Sequence, residues 1–151
     1  MAIRVEIVSQ DRMVYEGQAD IITLPGIEGE MGILPLHAPL ITTLSYGIIN
    51  VSLQGKEDVF TVAGGIVEVQ PDVVTVLADA AESVEEIDVV RAEAARDRAE
   101  ELLKHAPPTD SDAYLALEAA IRRSNLRIGA VQRFRRGRFS TPTGFSGDET
   151  H

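Results

Sequence analysis

Ile3, Val5 and Ile7 alternate with Arg4 and Glu6 at the start of the chain, the period-two pattern of a strand with one buried face. Further β-rich runs cover residues 14–17, 21–24, 47–53, 59–63, 66–69 and 73–78. The turn signals Pro25-Gly26, Gln54-Gly55-Lys56, Gly64-Gly65 and Pro71-Asp72 separate them. Short strands with a turn every ten or so residues, and no helical stretch between them, predict a sandwich or barrel rather than a parallel α/β sheet.

The pattern changes at about residue 83. Ser83 and Glu86 have the spacing of a capping box, and an Ala-, Glu- and Arg-rich run predicts a helix over 87–104. Pro107-Pro108 ends it. Thr109 or Ser111 can cap a second helix from 112 to about 133, whose apolar Tyr114, Leu117, Ile121, Ile128 and Val131 recur at helical spacing. Two helices with a short connection predict an antiparallel hairpin. The fold class is therefore α+β in two domains: an all-β domain over 1–84 and a helical hairpin over 85–134. A Gly-, Ser-, Thr- and Pro-rich stretch over 135–151 reads as a flexible tail.

Residues 31–55 carry no Asp, Glu, Lys or Arg, long enough to span a bilayer at about 20 residues. Pro35, Pro39, Gly47, Thr42, Thr43, Ser45 and Asn50 interrupt the stretch, so it reads as strands and turns and no membrane insertion is expected. The first ten residues lack an apolar core, so no secretory signal is expected either.

Charge is distributed unevenly along the 151 residues, whose net value is −10. Residues 1–84 hold 3 basic and 12 acidic side chains, residues 85–121 hold 4 and 10, and residues 122–151 hold 7 and 2. The seven are all arginines: Arg122, Arg123, Arg127, Arg133, Arg135, Arg136 and Arg138. An acidic body argues against nonspecific nucleic-acid binding by the whole chain. The arginine end suits an anionic partner, either an acidic protein face or, with Phe134 and Phe139 interleaved, a nucleic acid.

Candidate chemistry is sparse. Zero cysteines exclude a disulfide scaffold, a thiolate metal site and a cysteine nucleophile. No Walker-type loop is present, and Gly26-x-x-Gly29-x-x-Gly32 precedes no helix, so its glycines read as suppliers of positive φ in a tight loop. No nucleophile has a base beside it. His37, between Pro35 and Pro39, reads more readily as packing than as catalysis. A binding or regulatory protein without a catalytic or metal site is expected. Within the hairpin, Asp88, Arg91, Ala95 and Arg98 share one helix face, and Arg123 and Arg127 share another. If the faces meet, guanidiniums suited to phosphate and one carboxylate converge. From spacing alone the same residues read more readily as solvated charges with an Asp88–Arg91 helical ion pair.

Two longer motifs go beyond this reading. Residues 28–40, Glu-Gly-Glu-Met-Gly-Ile-Leu-Pro-Leu-His-Ala-Pro-Leu, and Ala63-Gly64-Gly65-Ile66-Val67-Glu68-Val69 followed by residues 74–79 together resemble the epsilon subunits of F-type ATP synthases over about residues 1–133. The tail after Phe134 departs from that pattern. The resemblance implies a β-sandwich of about ten strands followed by two helices. It implies a non-catalytic place in the central rotor stalk with the gamma subunit and the c-subunit ring, peripheral to the cytoplasmic face of a bacterial membrane. It further implies coupling of ring rotation to ATP synthesis, and inhibition of ATP hydrolysis by C-terminal helices that leave the hairpin for the alpha and beta subunits. Arg122, Arg123, Arg127 and Arg133 would then face acidic residues of beta. Glu30 and the loop around it, with His37, would face the c ring and gamma. Ile87-Asp88-Val89-Val90-Arg91-Ala92 is similar to the Ile/Leu-Asp-x-x-Arg-Ala motif of ATP-binding members, and Glu82, Arg98, Arg123 and Arg127 match other positions of that site. Regulatory ATP, with no required cofactor, is the implied ligand. The competing class is a stand-alone nucleotide-sensing module without affinity for gamma.

Overall fold

The computed structural model describes residues 1–105 and 111–139. Eight strands come first: β1 (Ile3–Val8), β2 (Met13–Ala19), β3 (Ile21–Gly26), β4 (Gly29–Ile33), β5 (Leu40–Leu53), β6 (Lys56–Val69), β7 (Val73–Ala78) and β8 (Ala81–Ser83). They pair in the order β2-β1-β7-β6-β5-β3-β4, with β8 added to β6. β1 and β7 run parallel; the other pairs are antiparallel.

The two 14-residue strands turn this single hydrogen-bonded path into a sandwich. The second half of β6 pairs with β7 through Gly65↔Ala78 to Val69↔Val74, whereas its first half pairs with β8 through Phe60↔Ser83 to Val62↔Ala81. β5 holds one register with β6 from Leu40↔Val69 to Leu53↔Lys56. Each long strand thus serves both layers. Between them lies one core containing Ile3, Val5 and Ile7 from β1, Ile22 and Leu24 from β3, Val67 and Val69 from β6, and Val74 and Val76 from β7. The alternation of buried and less buried positions along β1 is the one read from sequence.

The strand count is eight where the resemblance implies about ten, and Gly64-Gly65, expected as a turn, is not one. Both glycines have positive φ, +85° and +138°, and they bend β6 without ending it. Gln54-Gly55 is a true two-residue turn, with φ of 51° and 82°, the left-handed pair that matches the twist of a hairpin. Of Gly26, Gly29 and Gly32, only Gly29 has positive φ. At Gly26 a side chain is excluded for a different reason: a Cβ would lie 2.7 Å from the Gly29 carbonyl oxygen.

The helices also shift slightly from expectation. Ser83 accepts from the Glu85 N–H and caps only a 3₁₀ turn, Val84–Glu86. Glu86 does not close a capping box; it pairs with Arg12 at 3.1 Å. Helix α1 (Val89–Lys104) starts two residues later than the expected position 87, with Asp88 as its N-cap. Helix α2 (Asp112–Phe139) is capped by Ser111, whose Oγ accepts from the Tyr114 N–H at 3.1 Å. Residues 135–139 continue this helix where a flexible tail is expected; the rest of that stretch, with Pro107, Pro108 and Thr109, lies outside the described residues. α1 packs on α2, and α2 packs on β5, β6 and the 3₁₀ turn. A second apolar cluster seats α2: Ala130, Val131 and Phe134 against Ile48, Val59, Val84, Ile87 and Val89. No described helix is long and apolar enough to cross a membrane.

Candidate functional site

The hairpin lies folded against the sandwich, and its arginines meet the β-domain at defined places. On the α2 face, Arg127 Nη2 donates to Glu82 Oε1 at 3.2 Å, and its Nε lies 2.6 Å from Oε2 without the alignment of a hydrogen bond. Glu82 stands on β8 because Ala81–Ser83 adds to the edge of β6, with Thr61↔Glu82 in register. A cleft of about 250 Å³ opens beside the pair, lined by Thr61, Ala63, Ala81, Glu82, Arg123 and Arg127 among others. Glu82 neutralises Arg127, while Arg123 is exposed and has no ion pair among the described residues, so the cleft keeps one uncompensated positive charge.

The remaining residues of the expected nucleotide site sit elsewhere. Asp88 Oδ1 accepts from the Arg91 N–H at 3.2 Å, so the Asp-x-x-Arg spacing is first of all a helix cap. The expected Asp88–Arg91 side-chain ion pair does not form. Ile87 is 7% exposed and belongs to the cluster under α2, and Ala92 is fully buried. Ile87 thus packs the start of the hairpin to the body, while Ala92 is buried within α1. Arg91 and Arg98 are exposed. Neither they nor Asp88 line the Arg123–Arg127 cleft, so the helix faces do not bring all the guanidiniums to one spot.

Arg122 stacks on Tyr46 of β5, its Cζ 5.3 Å from the ring centroid. Tyr46 was not singled out from sequence; its partner is on another element, so no local spacing signals it. Arg133 borders two grooves between α2 and the sandwich, of about 890 and 460 Å³, and Glu30 borders both as well. Glu30 is exposed on β4. His37 is half-buried in the loop between β4 and β5, its Nδ1 2.8 Å from the Ala38 carbonyl oxygen. No hydrogen bond or ion pair joins it to Glu30 among the described residues. Leu34 and Leu36 near it are exposed, and Leu36 adopts a φ of 66°, unusual for a branched side chain.

Comparison with known proteins gives this geometry a family. Residues 2–84 match the beta-sandwich domain of the ATP synthase delta/epsilon chain, and residues 85–132 match the long alpha-helix domain of the same chain. The chain belongs to the ATP synthase delta/epsilon family. It is 40% identical over 131 residues to the ATP synthase epsilon chain of Halalkalibacterium halodurans, an alignment covering 87% of this chain and 98% of the relative. It is 43% identical to that of Acidithiobacillus ferridurans, covering 89% and 94%. Among solved structures, its fold is similar to a chain in Euglena gracilis mitochondrial ATP synthase, with a TM-score of 0.61, 23% identity and coverage of 90% and 81%.

Proposed function

We propose that the chain is the epsilon subunit of a bacterial F-type ATP synthase, carried on the central stalk with the gamma subunit and the c ring, and that its hairpin is a regulatory brake on ATP hydrolysis. The sandwich supplies the rigid rotor-binding body, with Glu30 and His37 as candidate contacts to the c ring and gamma. It does no chemistry and needs no metal or cofactor. Released from the sandwich, α2 offers Arg122, Arg123, Arg127 and Arg133 to the acidic beta subunit; folded down, it withholds Arg122 and Arg127 behind sandwich partners. The observation carrying this reading is the mixed attachment of α2: a small apolar seat plus arginine contacts on polar or aromatic groups, rather than a continuous apolar seam.

ATP would act as a clamp on the folded form. Arg123 and Arg127 suit phosphate oxygens bidentately. The cleft of about 250 Å³ lies below the roughly 300 Å³ at which small-molecule sites begin, so it takes part of a nucleotide as it stands. The rest requires α1 to bring Arg91 and Arg98 round. A ligand favours one arrangement only by binding it better than the other.

Calorimetric titration of the full chain with ATP tests the clamp. Saturable binding is expected, weakened at least tenfold by Arg127→Ala, as loss of a charged hydrogen bond of about 1.5–3 kcal/mol requires. Arg91→Ala is expected to weaken it as well. Absence of saturable binding, or binding indifferent to Arg127, would exclude the clamp and leave the rotor reading intact.

A further inference from the structure

α1 packs chiefly on α2, with Val89 at its start reaching the apolar seat, so what holds α2 holds most of the hairpin. Among the described residues, the apolar seat takes Ala130, Val131 and Phe134 from the C-terminal half of α2. Further toward the N-terminus, polar contacts among the described residues include Arg122 on Tyr46 and Arg127 on Glu82. At about 100° per residue, Arg122 and Arg127 are some 140° apart around the helix, with Leu126 between them in angle. Their partners straddle the same helix from below. Tyr46 lies on β5 opposite Ala63, and Glu82 lies on β8 opposite Thr61, with β6 between. Two strand spacings are about 9.5 Å, close to the width of one helix.

We propose that Tyr46 and Glu82 are the two arms of a latch that straddles β6 and clamps α2 from both flanks, holding the arginines that the released helix would present to its partner. The proposal rests on the reading of the hairpin as a movable brake. Both contacts are partly exposed and individually weak, which suits a reversible catch. Losing either arm opens α2 more often without unfolding the sandwich.

Hydrogen exchange of α2 amides in the full chain, without nucleotide, tests it. Tyr46→Leu and Glu82→Gln are each expected to speed exchange about two- to fivefold, and together about five- to twentyfold. Tyr46→Phe, which keeps the aromatic face, should leave exchange near that of the unchanged chain. Arg122→Ala, which alters nothing in the sandwich, should repeat the Tyr46→Leu effect. Unchanged exchange in the double variant, or Tyr46→Phe behaving like Tyr46→Leu, would overturn the latch. Hydrolysis by the reassembled enzyme separates the two readings. Stronger inhibition by the double variant supports both, whereas faster exchange with unaltered hydrolysis supports the latch and contradicts the brake.

Discussion

Gly65→Ala is expected to destabilise the sandwich by about 2–4 kcal/mol, visible as a lower urea midpoint with an unchanged slope. Gly65 has a φ of +138°, a conformation side chains rarely adopt. A Cβ there would also overlap the Leu77 carbonyl oxygen and lie 2.8 Å from Ala78 Cα. Neither neighbour is a flexible side-chain end that can move away; both are β7 backbone, paired to β6 at this point. The bend made by Gly64 and Gly65 lets one strand serve both layers, so relaxing it disturbs the pairing on either side. An alanine as stable as glycine at this position would mean that β6 does not bend as described. By contrast, a Cβ at Gly129 meets nothing within 4 Å, so the two glycines have different roles.

Ala130→Glu is expected to release α2 while sparing the sandwich. Ala130 is 2% exposed in the cluster with Val84, Ile87 and Val131. A carboxylate forced into that seat without a partner costs several kcal/mol, which the protein avoids by undocking the helix. Exchange of α2 amides should then approach that of an undocked helix, a change of tenfold or more. The amides of β1, β6 and β7 should keep their protection, because their core, around Ile3, Val67 and Val74, is separate from the cluster under α2. Equal loss of protection in both parts would show one cooperative unit and no independently movable hairpin. On the proposed account, the released helix also inhibits hydrolysis more strongly than the unchanged chain does.

What the sequence disclosed follows from the range of each interaction. The alternation in β1 is local, so strand and buried face are both legible there. The Gln54-Gly55 turn is legible because its positive φ values and the strands it joins are neighbours in sequence. Gly64-Gly65 misleads because a glycine pair marks positive φ without saying whether the strand ends or bends; the long pairing with β5 decides it. The start of α1 shifts for a similar reason: Ser83 and Asp88 are both competent caps, and the buried Ile87 between them stays extended. Arg123 and Arg127 are visible as a pair at helical spacing. The ion pair of Arg127 with Glu82 joins residues 45 apart, and the sequence reached Glu82 only through family resemblance. Tyr46 had neither route. Arg91 and Arg98 show the converse: a shared helix face was legible, but which neighbour it meets depends on how the two helices pack.

The most direct test of the regulatory reading is ATP hydrolysis by the otherwise complete catalytic complex, reassembled with either the full chain or a chain ending at Val84. The residues of the sandwich core all lie before position 85, so on the proposed function gamma binding should persist and can be checked in the same preparation. With the full chain hydrolysis is expected to be suppressed, and without residues 85–151 that suppression is expected to be released. Equal hydrolysis in the two preparations, with both chains bound, would contradict it.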